Sequence, residues 1–145
     1  MAEASDIVIR RANTQDLPHL EAFLRQFVET GELLPRTLTE LAELLDVFFV
    51  AVLGERVVGC AALEIYSPKL AEIRSLAVGR DVQGMGLGKR LVAACIELAK
   101  ERQVFEVMAI SAEDDFFLAC GFDYTLPNLR RAFFMTTREH YKSSE

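Results

Sequence analysis

Cysteine, histidine and long apolar runs are scarce in this 145-residue chain, and each shortage excludes a class of protein. The three cysteines, Cys60, Cys95 and Cys120, are odd in number and form no C-x-x-C pattern. This excludes a closed disulfide framework and a cysteine zinc site. The two histidines, His19 and His140, have no ligand-pair spacing between them. The sequence therefore predicts no metal site, and the free cysteines favour a reducing, cytoplasmic location.

Excess basic charge and membrane-spanning segments are lacking as well. The 16 Lys and Arg against 22 Asp and Glu give a formal net charge of −6. That charge disfavours a nucleic-acid partner, because non-specific binding depends on phosphate neutralisation. No run of about 18 uncharged apolar residues is present, so we expect no membrane span. The acidic N-terminus lacks the apolar core of a secretory signal. With 51% apolar residues, the chain is predicted to be one packed domain over residues 1–145.

The apolar pattern predicts strands and helices in the order β-α-α-β-β-β-α-β-α-β-β. A capping box from Thr37 to Glu40 starts the second helix, which is expected to run through Leu44 and Leu45. The last strand pair is predicted at residues 122–124 and 132–137. Hairpins combined with one strand–helix–strand crossover imply an α+β or mixed-sheet α/β domain.

A glycine-rich loop between a predicted strand and a long amphipathic helix carries the most information. Gly84, Gly86 and Gly88 alternate along it, and Lys89 and Arg90 follow. A helix N-terminus has about four N–H groups without intrahelical partners and roughly half a positive charge. The loop is therefore predicted to bind an anion, with phosphate or pyrophosphate as the simplest choice. A turn that serves only strand-to-helix geometry is the alternative.

Two nucleotide-binding patterns fit this loop poorly. The Walker pattern G-x-x-x-x-G-K-[ST] fails because Arg90 follows Lys89. The Rossmann pattern G-x-G-x-x-G needs a different glycine spacing and a parallel sheet, whereas the strands before this loop are predicted to be antiparallel.

The loop and its flanks resemble the GNAT superfamily of N-acetyltransferases. The superfamily signature [Q/R]-x-x-G-x-[G/A] is matched by Gln83, Gly86 and Gly88, and residues 116–122 resemble its late F-x-x-x-x-G-F element. The resemblance covers almost the whole chain. It implies a GNAT fold, with a mostly antiparallel central sheet flanked by helices, and acetyl-CoA as the co-substrate.

Within the superfamily, the chain most resembles the acetyltransferase domain of N-acetylglutamate synthases, in a short single-domain form. Residues 33–36, 48–51, 58–63 and 70–78 carry this likeness. It implies transfer of an acetyl group from acetyl-CoA to a small amino acid by direct attack in a ternary complex. L-glutamate is the favoured acceptor, as in arginine biosynthesis. The compact C-terminal tail departs from that family, which leaves the acceptor open.

The same resemblance implies where acetyl-CoA binds. Its pyrophosphate is expected on the N–H groups of Gly84 to Lys89, and its pantetheine arm beside the backbone of Leu76 to Val78. Amides at a strand edge and at a helix N-terminus suit those two groups. The expected cofactor-binding residues are Leu76, Ala77, Val78, Gln83, Gly84, Met85, Gly86, Leu87, Gly88 and Lys89.

Acetylation of an amine needs a base, because a reference α-amino group has a pKa of roughly 8 and is mostly protonated at neutral pH. Glu72 is the expected general base, directly or through a water. Period-two alternation predicts that Arg74, Leu76 and Val78 share its strand face. A cross-strand ion pair between Glu72 and a basic neighbour, with Arg74 as one candidate, is the structural alternative. Ser111 is expected to protonate the departing thiolate, with capping of the following helix as its alternative.

Further residues complete the predicted site. Many GNAT enzymes place a tyrosine where this chain has Phe117, so Tyr124 and Tyr141 are further candidates for the proton donor. Arginine binds carboxylates through paired N–H groups. The candidates for binding the acceptor's carboxylate are Arg36, Arg74 and Arg130, with Arg131 beside the last.

Two other functions stay open from the sequence. The acceptor is either an amino acid, another small amine or a protein N-terminus. A non-catalytic acyl-CoA-binding sensor is favoured by Phe117 and disfavoured by Glu72. The expected partner is a small-molecule amine, and a homodimer is left open.

Overall fold

The computed structural model describes residues 2–138, and these form two compact units with a boundary between Ile110 and Ser111. The prediction of one domain over residues 1–145 stays a prediction. His140 and Tyr141 lie outside the described residues.

The first unit is a five-stranded mixed sheet with helices. The strands follow chain order across the sheet, and every neighbouring pair is antiparallel except β4 and β5, which are parallel. The mixed, mostly antiparallel sheet expected from the sequence is therefore confirmed. The strands are β1 (Ile7–Arg11), β2 (Phe48–Leu53), β3 (Arg56–Ser67), β4 (Leu70–Val78) and β5 (Glu106–Ala109), and the helices are α1 (Leu17–Glu29), α2 (Leu38–Glu43) and α3 (Leu87–Glu101).

The predicted capping box starts α2. The Glu40 N–H donates to Thr37 Oγ1 over 3.0 Å, and the Thr37 N–H donates to Glu40 Oε1 over 3.2 Å. The prediction that the helix runs through Leu44 and Leu45 is wrong. It ends at Glu43, and a 3₁₀ turn over Leu45–Val47 follows. This tighter turn brings the chain directly into β2, which begins at the next residue.

Helices cover both faces of the sheet. On one face, α1 and α2 pack against Phe48, Val50, Cys60, Ala62 and Ala77. On the other face, α3 comes so close to β3 that a Cβ at residue 59 would lie 3.2 Å from two leucine side chains of α3. Glycine at that position therefore permits the close packing of helix on strand.

The second unit contains α4 (Asp114–Ala119) and a 3₁₀ turn over Pro127–Leu129. Within the described part of the chain, the predicted strands at residues 122–124 and 132–137 are absent, so that prediction is wrong. A single bridge joins Leu126 and Arg130 instead. Aromatic-rich segments have strand propensity, but a strand forms only where a partner continues the ladder. No helix among the described residues is long and apolar enough to cross a membrane.

Candidate active site

The glycine loop lies between the end of β4 and the start of α3. Gly84 has a φ of +85° and Gly86 a φ of +75°, and a Cβ on either would meet nothing within 4 Å. The left-handed backbone favours glycine, and the space beside it is open to a ligand. Gly86 caps α3 without a side-chain hydrogen bond, and no acidic residue occupies the first turn. The open space beside the loop and the helix N-terminus without a side-chain cap fit the pyrophosphate of acetyl-CoA.

The two basic residues that follow the loop behave differently. Lys89 is exposed. The Arg90 guanidinium instead donates to the carbonyls of Ala4 and Ile7 over 3.0 and 2.9 Å. Arg90 therefore anchors the N-terminal segment, and Lys89 is the cation free to meet an anion at the loop.

Strand β4 extends past the end of its neighbour β5. The ladder to β5 covers Leu70 to Ile73 and ends where Ile73 pairs with Ala109, whereas β4 continues to Val78. Residues 74–78 therefore have no β5 strand beside them. This edge is the one on which the pantetheine arm is expected to pair.

A bulge interrupts the pairing of β4 with β3. Between the pair Ala62–Arg74 and the pair Cys60–Ala77, β3 advances two residues and β4 three. Ser75 lies in the extra step and has a φ of +55°. An inserted residue of this kind bends the strand and breaks the alternation of its side chains.

The bulge corrects one prediction about the face of Glu72. Residues directly opposite each other in a ladder share a face. Glu72, Arg74 and Ala77 pair with residues of β3 that face α1 and α2. All three therefore lie on that face of the sheet. Leu76 and Val78 point to the other face, so the prediction that they share the face of Glu72 is wrong. The extra residue reverses the alternation after Arg74.

A cluster of charged and phenolic side chains lies on the α1–α2 face. Glu64 of β3 is directly opposite Glu72 of β4. The Tyr66 hydroxyl lies 2.6 Å from Glu72 Oε1 and 3.1 Å from Glu64 Oε2. Glu72 is buried, with 8% of its surface exposed. Arg74 Nη1 is 3.1 Å from Glu64 Oε2, so Arg74 pairs with Glu64 and the predicted alternative of a Glu72–Arg74 ion pair is wrong.

Arg36 joins this cluster from the segment between α1 and α2. Its Nε donates to Ser75 Oγ over 2.8 Å, and its Nη1 lies 3.5 Å from Glu64 Oε1. Its side chain is 8% exposed, and its Nη2 is buried without a partner in the described part of the protein. A cavity of about 200 Å³ lies beside it. A buried N–H donor without an acceptor is costly, so this atom suits an oxygen of a ligand.

The charges in the cluster fix the protonation of two of its members. Burial tends to raise the pKa of Glu64, but Arg36, the Tyr66 hydroxyl and Arg74 outweigh it and lower that pKa. Burial, followed by the hydrogen bond to Glu72, raises the pKa of Tyr66 above its usual range. At neutral pH, Glu64 is therefore an anion and Tyr66 a neutral donor.

Two predicted site residues lie in the second unit. Ser111 Oγ accepts from the Glu113 N–H over 3.0 Å, just before α4. Glu113 is the N-cap of that helix, so Ser111 forms a turn two residues earlier and does not cap the helix. Arg130 Nε donates to the Pro127 carbonyl over 3.3 Å. The catalytic role of Ser111 and the substrate-binding role of Arg130 stay predictions.

Phe117, which stands where many GNAT enzymes have a tyrosine, packs against two other aromatic rings. Phe117 makes edge-to-face contacts with Phe116 and Phe122, with ring centroids 5.0 and 5.3 Å apart. The nearby Tyr124 hydroxyl donates to Asp114 over 3.1 Å. The role of Tyr124 as a proton donor stays a prediction.

A larger groove of about 650 Å³ lies between α1 and the β2–β3 turn. Both of its arginines are already paired: Arg56 lies 2.8 Å from Asp81, and Arg80 lies 2.8 Å from Glu32. It contains none of the residues predicted to be catalytic, and the chemistry of the chain therefore points to the cluster instead.

Sequence reasoning missed Glu64 and Tyr66. No signal in the sequence brings them beside Glu72. Glu64 lies opposite Glu72 only because the pairing of β3 with β4 is irregular at Tyr66.

Comparison with known proteins identifies the family. The chain matches the Acetyltransferase (GNAT) family over residues 15–122. It belongs to this family. The GNAT chain is accordingly an acyltransferase, and its co-substrate is acetyl-CoA.

Several individual proteins are similar to this chain. The chain is 33% identical to an uncharacterised N-acetyltransferase of Chlorobaculum tepidum over 82% of this chain and 77% of that one. It is 36% identical to an amino-acid acetyltransferase of Mycobacterium tuberculosis over 79% of this chain and 67% of the relative. Among solved structures, N-acetylglutamate synthase from Neisseria gonorrhoeae with coenzyme A and N-acetyl-glutamate matches with a TM-score of 0.71 and 32% identity. That match covers 78% of this chain and 27% of the synthase chain, so this GNAT chain spans about a quarter of that enzyme.

Proposed function

We propose that this GNAT protein transfers the acetyl group of acetyl-CoA to the α-amino group of a small amino acid, with L-glutamate as the favoured acceptor. We also propose that it is a cytoplasmic enzyme of arginine biosynthesis. The observation that carries it is the buried, unpartnered Nη2 of Arg36 in the same cluster as the buried carboxylate of Glu72. The similarity to amino-acid acetyltransferases supports an amino acid over other amines.

On the cofactor side, main-chain groups do the binding. The N–H groups from Gly84 to Lys89 hold the pyrophosphate, and the β4 edge at Leu76 to Val78 pairs with the amides of the pantetheine arm. Bound acetyl-CoA supplies the activated acetyl group. Gln83 begins the loop, and its position in the family signature supports a place in this binding site.

On the acceptor side, side chains do the binding. Arg36 receives the acceptor's carboxylate on its unpartnered Nη2, and Arg74 adds a second positive charge beside it. Glu72 takes the proton of the acceptor's ammonium group, directly or through a water. Ser111 is the proposed donor to the departing thiolate, and Arg130 the proposed further contact to an acidic acceptor.

A thiol-release assay with a panel of amino acids tests this function. Purified protein is mixed with acetyl-CoA, a thiol reagent and one amine at a time, with a reaction lacking amine as the control. We expect release that depends on an α-amino acid and is fastest with L-glutamate. Silence with every amino acid would overturn the proposal, and acetyl-CoA binding without turnover of any amine would favour a non-catalytic acyl-CoA sensor. Preference for a peptide N-terminus would indicate a protein acceptor.

A further inference from the structure

We propose that Tyr66 is the positioning residue of Glu72, holding its carboxylate through one hydrogen bond; this inference rests on the proposed function. The Tyr66 hydroxyl lies 2.6 Å from Glu72 Oε1, which is the length of a strong bond to a charged acceptor. The bond occupies one oxygen of the carboxylate and leaves Oε2 for the acceptor's ammonium group.

The two facing carboxylates are held in different ways. Glu64 lies between Arg36 and Arg74, at 3.5 and 3.1 Å. Glu72 forms no ion pair with a basic residue within residues 2–138, and its partner is a neutral phenol. A carboxylate bound to arginine gives up its basicity, whereas one held by a neutral donor keeps more of it. Tyr66 therefore orients Glu72 without neutralising it.

Several groups face Glu72 from the elements around it. Glu64 faces it from β3, and Arg74 lies two residues away on β4. Arg36 approaches from the segment before α2, but its contacts are to Glu40, Glu64 and Ser75. From β5, the residue paired with Glu72 is Met108, which carries no charge. Removing the Tyr66 hydroxyl would therefore leave Glu72 beside Glu64 without the donor that Tyr66 supplies.

A titration that needs no activity tests the bond itself. Protein labelled with ¹³C at the tyrosine Cζ is titrated by NMR, and Tyr66→Phe assigns the Tyr66 signal. We expect this signal to ionise at lower pH in Glu72→Gln than in the wild type, because the amide removes the negative charge next to the phenol. An unchanged onset of ionisation would overturn the proposal.

Steady-state kinetics that separate kcat from KM test the role of the bond. Tyr66→Phe keeps the ring, which is 52% exposed, and removes only the hydroxyl. We expect kcat to fall about tenfold with the KM for acetyl-CoA unchanged.

The matched control is Thr30→Val, which removes an exposed hydroxyl 2.9 Å from Glu32 and should change neither quantity. A kcat of the Tyr66→Phe variant equal to that of the wild type would overturn the positioning role. If wild-type protein turned over no amine, the proposed function would fail, and the NMR titration would still decide whether the Tyr66–Glu72 bond exists.

Discussion

The glycine loop and the cluster around Glu72 are proposed to bind by different means. The loop is one short run, from Gln83 to Lys89, and it offers main-chain N–H groups at the start of α3. The cluster takes its side chains from separate segments, with Arg36 before α2, Glu64 and Tyr66 on β3, and Glu72 on β4. Only the sheet brings these segments together.

This difference decides how each region responds to substitution. Main-chain binding tolerates most side chains and fails where a glycine is lost, since Gly84 and Gly86 have positive φ. Side-chain binding depends on the chemical identity of each member. The loop should therefore control affinity for acetyl-CoA, and the cluster should control turnover and the KM for the acceptor.

Glu72→Gln should give the largest effect. The amide keeps the shape of the side chain but cannot take up a proton, so we expect turnover to fall about 10²–10⁴-fold. Affinity for acetyl-CoA, measured by calorimetry, should stay at the wild-type level because the loop is intact. Glu97→Gln changes an exposed glutamate on α3 and serves as the control. Near-wild-type turnover in the Glu72 variant would remove Glu72 from the mechanism.

Gly86→Val should weaken the binding of acetyl-CoA strongly. The new side chain would stand in the space beside the loop and strain a residue with a φ of +75°. Loss of two or more hydrogen bonds to a charged group predicts about 100-fold weaker binding in calorimetry.

Gly54→Val is the matched control for Gly86→Val. Gly54 has a φ of +64° with nothing near its Cβ position, so it carries similar strain in the β2–β3 turn. Equal loss of acetyl-CoA affinity in both variants would show that strain, and not the anion cradle, causes the effect.

Arg36→Ala should raise the KM for the acceptor about 10–100-fold, because the proposed bonds to its carboxylate are lost. Acetyl-CoA affinity should not change. Steady-state kinetics with both substrates separates the two effects. Arg102→Ala, which removes an exposed ion pair to Asp46, is the control for loss of an arginine. An unchanged KM for the acceptor would exclude Arg36 from carboxylate binding.

Lys89→Ala should have the smallest effect. An exposed charge beside a phosphate contributes little, so we expect two- to fivefold weaker acetyl-CoA binding at low salt, about 0.5–1 kcal/mol. The difference should shrink at high ionic strength as the charge is screened. Lys100→Ala, at the far end of α3, is the control, and equal effects of the two variants would contradict a local role for Lys89.

Much of the first unit could be predicted because its signals are local. The order of its strands and helices and the capping box at Thr37 each depend on a few neighbouring residues. The glycine loop is local in the same sense. The family resemblance then gave the expected roles of residues on it.

The errors share one cause, which is dependence on a partner segment. The bulge at Ser75 exists only in the pairing of β4 with β3, and it reverses the face on which Leu76 and Val78 lie. The strands predicted at residues 122–124 and 132–137 needed ladder partners that the described part of the chain does not provide. Propensity reports how well a residue fits a strand, but not whether a neighbouring strand is there.

The sequence by itself determined where the glycine loop is, because alternating glycines before an amphipathic helix set the backbone over a few consecutive residues. Tertiary structure alone decided which donors surround Glu72. The pairing of β3 with β4 turned Arg74 toward Glu64 and brought the Tyr66 hydroxyl to Glu72. The physical reason is that main-chain geometry is governed by neighbours in sequence, whereas side-chain networks form between strands whose register is settled only on folding.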